Sequence, residues 1–171
     1  MSITLGSASL PVFIKGLRNL NHCLGKAVAN AQARKFDVNV LVQARLAPDM
    51  LPLASQVRIA CDTAKLGVAR LAGIDAPKHA DTETTLPEFQ ARVAATLDYL
   101  GTISASQIDG REAMQITFPV GRDGATLTMS GEDYLRYRAL PNFYFHITTA
   151  YDILRHNGVD LGKADYLSGG G

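Results

Sequence analysis

Apolar residues recur at steps of three and four over most of this chain, and that spacing predicts helices. Over residues 9–32, Leu10, Phe13, Leu17, Leu20, Leu24, Val28 and Ala31 form one stripe. Pro11 falls in the first turn of that helix, where a missing N–H is tolerated. Lys15, Arg18, His22 and Lys26 share the opposite, solvated side. A short helix is predicted over 37–46, with Asp37 as its cap. After the turn APDMLP, a second long helix runs to Ala72 on the stripe Leu53, Val57, Ala60, Ala64, Val68 and Leu71, and Gly73 ends it. After Gly73, residues 74–84 carry Pro, Asp and Thr punctuation and read as a loop. A third helix opens on the capping-box pair Thr85 and Glu88. It lines its inner face with Phe89, Val93, Leu97 and Leu100 and fades near Ser104.

The period then changes from helical to alternating. Met114, Ile116, Phe118 and Val120 alternate with polar residues, and Leu127 and Met129 do so after GRDG at 121–124. This predicts a β-hairpin with a four-residue turn, and Pro119 marks its strand as an edge. Ser130 and Asp133 make a further capping-box-like start, which Pro141 should break or kink. The last long helix is predicted over 141–157 and is stopped by Gly158. The final residues, SGGG, are expected to be mobile. The pattern is thus all-α, with one hairpin inserted before the last helix, and a single domain over 1–171.

Composition narrows the partners. The chain has 171 residues, 17 basic and 16 acidic, for a formal net charge of +1. So even a balance gives no long-range attraction to nucleic acid or to an anionic membrane. No apolar run approaches the roughly 20 residues of a membrane span, and the expectation is no membrane association. The first residues lack the basic start and apolar block of a secretory signal. Cys23 and Cys61 sit in helical patterns without zinc spacing, so buried thiols in a reducing, cytoplasmic setting are expected.

Candidate chemistry concentrates at residues 140–158, LPNFYFHITTAYDILRHNG. Phe143, Ile147, Ala150 and Leu154 centre the apolar face there. His146 lies about 60° from that centre and Asn142 about 100°, one turn earlier. An imidazole on the inner shoulder can bind a metal or accept a proton. It can equally be a core histidine satisfied by Asn142 or by a tyrosine. Tyr144 and Phe145 face outward, which calls for cover from the chain itself or from a second subunit. His22 sits among cations, His79 in a loop beside Asp81 and Glu83, and His156 on the polar side of the last helix. HExxH, GxSxG and P-loop patterns are absent.

RLAPDM at 45–50, PNFYFH at 141–146 and YDILRHNGVDLGKADYL at 151–167 together resemble a bacterial family of unknown function in the DinB/YfiT-like superfamily. The resemblance implies an up-down-down-up four-helix bundle, often dimeric. It also implies three histidines around nickel or zinc in members that act as thiol S-transferases or hydrolases. Set against the superfamily's HxxxHRGQ, this chain places His146 at the second histidine and Asn142 at the first. Gln56 is the nearest match to the third ligand, early in the second helix. Two amides among three positions are poor ligands for zinc or nickel beside imidazole, so no metal and no cofactor is expected. The reading is a protein that binds an unidentified small molecule at Gln56, Asn142 and His146, with His146 as general base or hydrogen-bond acceptor. The rivals are a non-catalytic dimeric interaction protein and a divalent-metal-dependent transferase or hydrolase with unconventional ligands.

Overall fold

A computed structural model describes residues 3–121 and 123–170. Four long helices share one apolar core. Helix α1 spans Leu5–Arg34, α2 Leu53–Ala72 and α3 Leu86–Gly101. Helix α4 follows the hairpin and is built in three pieces: Gly131–Asp133, a π-helical segment Tyr134–Ala139, and Leu140–His156. A short helix α5, Lys163–Ser168, closes the chain.

Side-chain pairs fix the helix directions. Residue 13 meets 143 and residue 30 meets 158, so α1 and α4 run parallel. Gly25 lies by Gln90 and Gly6 by Ala105, so α3 runs against α1. Arg58 stacks on Phe89 and Asp62 bonds Arg92, so α2 is parallel to α3. Gln56 bonds His146 and Thr63 bonds Asn142, so α2 opposes α4. The course is up-down-down-up, as the resemblance implies, and the hairpin is inserted before the last long helix, as the pattern predicts. Strand β1, Gln115–Pro119, pairs antiparallel with β2, Thr126–Ser130. Ile116 and Phe118 point into the core and the intervening residues point out. Arg122, in the predicted turn, lies outside the described residues.

The centre is aromatic and tight. Phe13 and Phe143 are fully buried and meet edge to face, with centroids 5.0 Å apart. Gly16 makes room for that contact: a Cβ there would stand 2.5 Å from the Phe143 ring.

Several local expectations shift. Helix α1 starts at Leu5, four residues before the expected start at residue 9, because Thr4 and Ser7 cap each other reciprocally. Pro11 therefore lies in the second turn, and the Ser7 carbonyl lacks its helical N–H. The predicted short helix is a 3-10 turn over Val38–Gln43, with the Asp37 carboxylate accepting from the Asn39 N–H. Pro141 does not break the last helix. The i−4 carbonyl conflict that a proline creates is absorbed by the wider π turn just before it. The tail is packed rather than loose: Asn19 donates to the Tyr166 carbonyl and accepts from Gly170 N–H. Gly171 lies outside the described residues. His22 is also not merely solvated, since Asp165 of α5 sits 2.8 Å from its Nε2.

The inner face of α3 differs most. Leu97 is only partly buried, whereas Arg92 and Thr96 are buried. Arg92 reaches Asp81 at 2.6 Å, Glu83 at 2.8 Å and Asp62 at 3.0 Å. Lys65, buried on α2, shares Asp62 at 3.0 Å, and Arg58 holds Glu83 at 2.9 Å. Three cations and three carboxylates thus bind the α2–α3 crossover to both helices. Burial would raise the Glu83 carboxyl, but the Arg92 and Arg58 hydrogen bonds outweigh it and hold it down to about 2.

Arg92→Met should strand these carboxylates and cost about 3–5 kcal/mol in urea unfolding at neutral pH. A depressed carboxyl stabilises above its unfolded pKa and loses that stability as pH falls through its folded one. The native protein should therefore weaken between its ordinary value of 4.5 and about 2, and Arg92→Met should flatten that slope. Leu154→Ala should cost about 2–5 kcal/mol and Leu97→Ala clearly less, because only Leu154 is fully buried.

Candidate functional site

The α2–α4 seam carries polar groups at a depth where apolar residues are the rule. Gln56 comes from the first turn of α2, and it is 2% exposed. His146 comes from the straight part of α4, 7% exposed. Gln56 Nε2 donates to the Leu51 carbonyl at 3.0 Å, which turns Oε1 towards the imidazole. His146 Nδ1 lies 2.7 Å from that oxygen. An amide oxygen only accepts, so Nδ1 carries the proton and donates. The ring is then the neutral Nδ1–H tautomer, with its lone pair on Nε2.

Nε2 makes no hydrogen bond among the described residues. The buried side-chain atoms without a partner there are Asn21 Oδ1, His79 Nδ1 and Arg92 Nε. Nε2 of His146 is not among them, so it is not completely enclosed. Burial pushes the imidazole down to about 4. It is neutral at physiological pH, a ready hydrogen-bond acceptor and a weak base.

The sequence groups Gln56, Asn142 and His146, and the structure brings together only the first and last. Asn142 Nδ2 donates to Thr63 Oγ1 at 2.7 Å, two turns along α2 from Gln56. Asn142 also lines a cleft of about 240 Å³ between α2, α4 and the hairpin. His146 does not line it. Its satisfying partner is Gln56, rather than the Asn142 or tyrosine that the helix count suggests.

A three-ligand metal centre does not fit these residues. The Gln56 oxygen is spent on the His146 N–H, and one imidazole nitrogen remains. Among the described residues no group of three or more His, Cys, Asp or Glu side chains could hold a metal ion. His79 does not meet Asp81 or Glu83 as a ligand trio would; both bond Arg92. Its Nδ1 faces Asp62 at 3.7 Å, and burial lowers its pKa. The thiols are poor nucleophiles: burial raises Cys23 to about 11 and Cys61 to about 12.

Sequence reasoning missed the cleft's other polar groups, Arg70, Tyr134 and Arg138. Arg70 stands in the last turn of α2, where its charge alone suits the helix end. Tyr134 and Arg138 lie on the π segment, whose phase no 3.6-residue count follows. No helix among the described residues is long and apolar enough to cross a membrane.

This seam and bundle define a DinB-like helical protein. A crystal structure of a DinB family member from Shewanella denitrificans is similar at 46% identity. Its TM-score is 0.88, over 96% of this chain and 92% of that one. The family model "Domain of unknown function (DUF1993)" matches residues 5–167, and the chain belongs to that family. No curated protein matches it.

Proton resonances of the His146 ring should titrate near pH 4 rather than near the ordinary 6.5. An imidazole depressed in the folded state leaves stability intact above 6.5 and withdraws it as pH falls towards 4, because the unfolded chain takes up the proton first. Gln56→Ala should orphan the Nδ1–H and cost about 1–3 kcal/mol. Elemental analysis after chelator-free purification should find no stoichiometric nickel or zinc. Near-equimolar metal that disappears in His146→Ala would overturn the misfit.

Proposed function

We propose that the protein binds a small molecule at the α2–α4 seam, with His146 Nε2 as its hydrogen-bond acceptor and Asn142 as the group that orients it. The observation that carries this reading is the Gln56–His146 bond, which commits Nδ1 and leaves one open lone pair on a fixed ring. Acceptance of a hydrogen bond is the stronger role, and a general base would need a bound group that raises the imidazole pKa. The two buried, unpaired thiols support a cytoplasmic setting.

The test is a protein-observed NMR screen of a mixed library of small acids, phosphates, amines and neutral polar compounds. Saturable shifts at Thr63, Asn142 and His146, lost in His146→Ala, are expected. Hits confined to other faces would remove the reading.

A second reading, assembly as a homodimer, draws on a different surface. Tyr144 is 43% and Phe145 58% exposed. Tyr144 also borders an apolar groove of about 370 Å³ with Pro11, Val12, Gly16, Ile147 and Leu167. One such face can pack against its symmetry mate. Sedimentation equilibrium should give twice 18.4 kDa, reduced towards the monomer by Phe145→Glu. A mass of 18.4 kDa across micromolar concentrations would exclude the dimer.

A further inference from the structure

Two arginines face the cleft between α2, the π segment and the hairpin, and neither has a carboxylate partner among the described residues. Arg70 is fixed from two sides. Its Nη1 donates to Tyr134 Oη at 3.0 Å, and its guanidinium lies 5.6 Å from the Phe118 ring centre and 5.8 Å from that of Tyr134. Arg138 lies 5.9 Å from the same Phe118 ring. One phenyl ring of the hairpin thus holds two like charges in one cleft. A guanidinium presents five donors in a planar fork, and a single phenol and ring faces satisfy few of them.

The remaining polar groups agree in sign. Asp62 is the one carboxylate lining the cleft. Its Oδ1 is bound by Lys65 and its Oδ2 by Arg92, so its charge is already matched from within the bundle. Thr63 accepts from Asn142 and gives its own proton to no group among the described residues. Its hydroxyl is a spare donor beside the two arginines. The π segment is the device that brings Tyr134, Arg138 and Ala139 to this wall together.

We propose that this cleft is an anion site that receives the carboxylate or phosphate head of a small molecule, clamped between Arg70 and Arg138 with Thr63 as a further donor. Planar arginine forks recognise both heads by paired charge-assisted hydrogen bonds. At about 240 Å³ the cleft is smaller than the roughly 300–1,000 Å³ of drug-sized sites, which suits a small metabolite better than a nucleotide. The inference rests on the α2–α4 seam being a binding site and names the class of molecule bound there.

The experiment titrates inorganic phosphate, and separately acetate and succinate, into the full chain at constant ionic strength, followed by amide shifts and calorimetry. Saturable binding of phosphate or of a carboxylate is expected, with shifts at Thr63, Arg70, Arg138 and Asn142. The arm that saturates at lower concentration identifies the head group. Arg70→Gln and, independently, Arg138→Gln should each weaken it by roughly tenfold. Arg138 is exposed, so its variant tests the site even if loss of Arg70 disturbs folding. Arg136→Gln should leave binding unchanged, since Arg136 is exposed and paired with Glu132. No saturation by any of the three anions, or equal binding in both test variants, overturns the anion site. If neutral compounds still bind at the seam, the broader reading survives that failure.

Discussion

The Arg92 guanidinium is the interaction on which this bundle's course depends. Two consecutive helices that run parallel need a long return segment, and such a segment has no helical hydrogen bonds of its own. Here it is tied down by charge: Asp81 and Glu83 from the crossover and Asp62 from α2 converge on one buried arginine. An ion cluster is a demanding fastener, because every member must keep its partner once water is gone. It also explains why α3 turns a charged residue inward beside Phe89 and Val93. With α3 held in that phase, α1 can close the other side and leave α2 facing α4 along the whole seam.

Much of the bundle was legible because most long helices bury one continuous stripe. The stripes of α1 and α2 and the core of α4 match the buried residues closely, and the hairpin announced itself by its change of period. What periodicity could not show was polar burial. Arg92 looks like a solvent residue until three acids from distant positions are known to surround it. Leu97 looks like core for the same reason, since a count of apolar residues pulls the face towards it. Pro11 and Pro141 misled in opposite ways. One sits deeper in its helix than the stripe implied, and the other is absorbed by a widened turn.

The site was legible in part. His146 and Gln56 do meet, and the position-by-position comparison that paired them relied on likeness between families rather than on helix geometry. Asn142 lies one turn from His146, and both the helix count and the family pattern place it in the same cluster. Helix α2 offers Thr63 at that level, however, and the amide takes the nearer hydroxyl. Arg70 and Arg138 carry no sequence mark that separates them from ordinary surface arginines. They become notable only when the hairpin lays Phe118 between them.

The π-helical segment Tyr134–Ala139 has a consequence for how this fold can change. A π turn holds one residue more than an α turn, so it acts as a register joint. Loss of a single residue there would return the helix to ordinary pitch and rotate everything ahead of it by about 100° relative to everything behind. The half that carries His146 and packs on Phe13 would stay in place, while the hairpin, Tyr134 and their cleft wall would swing to a neighbouring face. The cleft and the core are therefore coupled through this joint: a one-residue insertion or deletion there would move the wall of the cleft and also withdraw the buried Ile116, Phe118 and Leu135 from the packing beneath it.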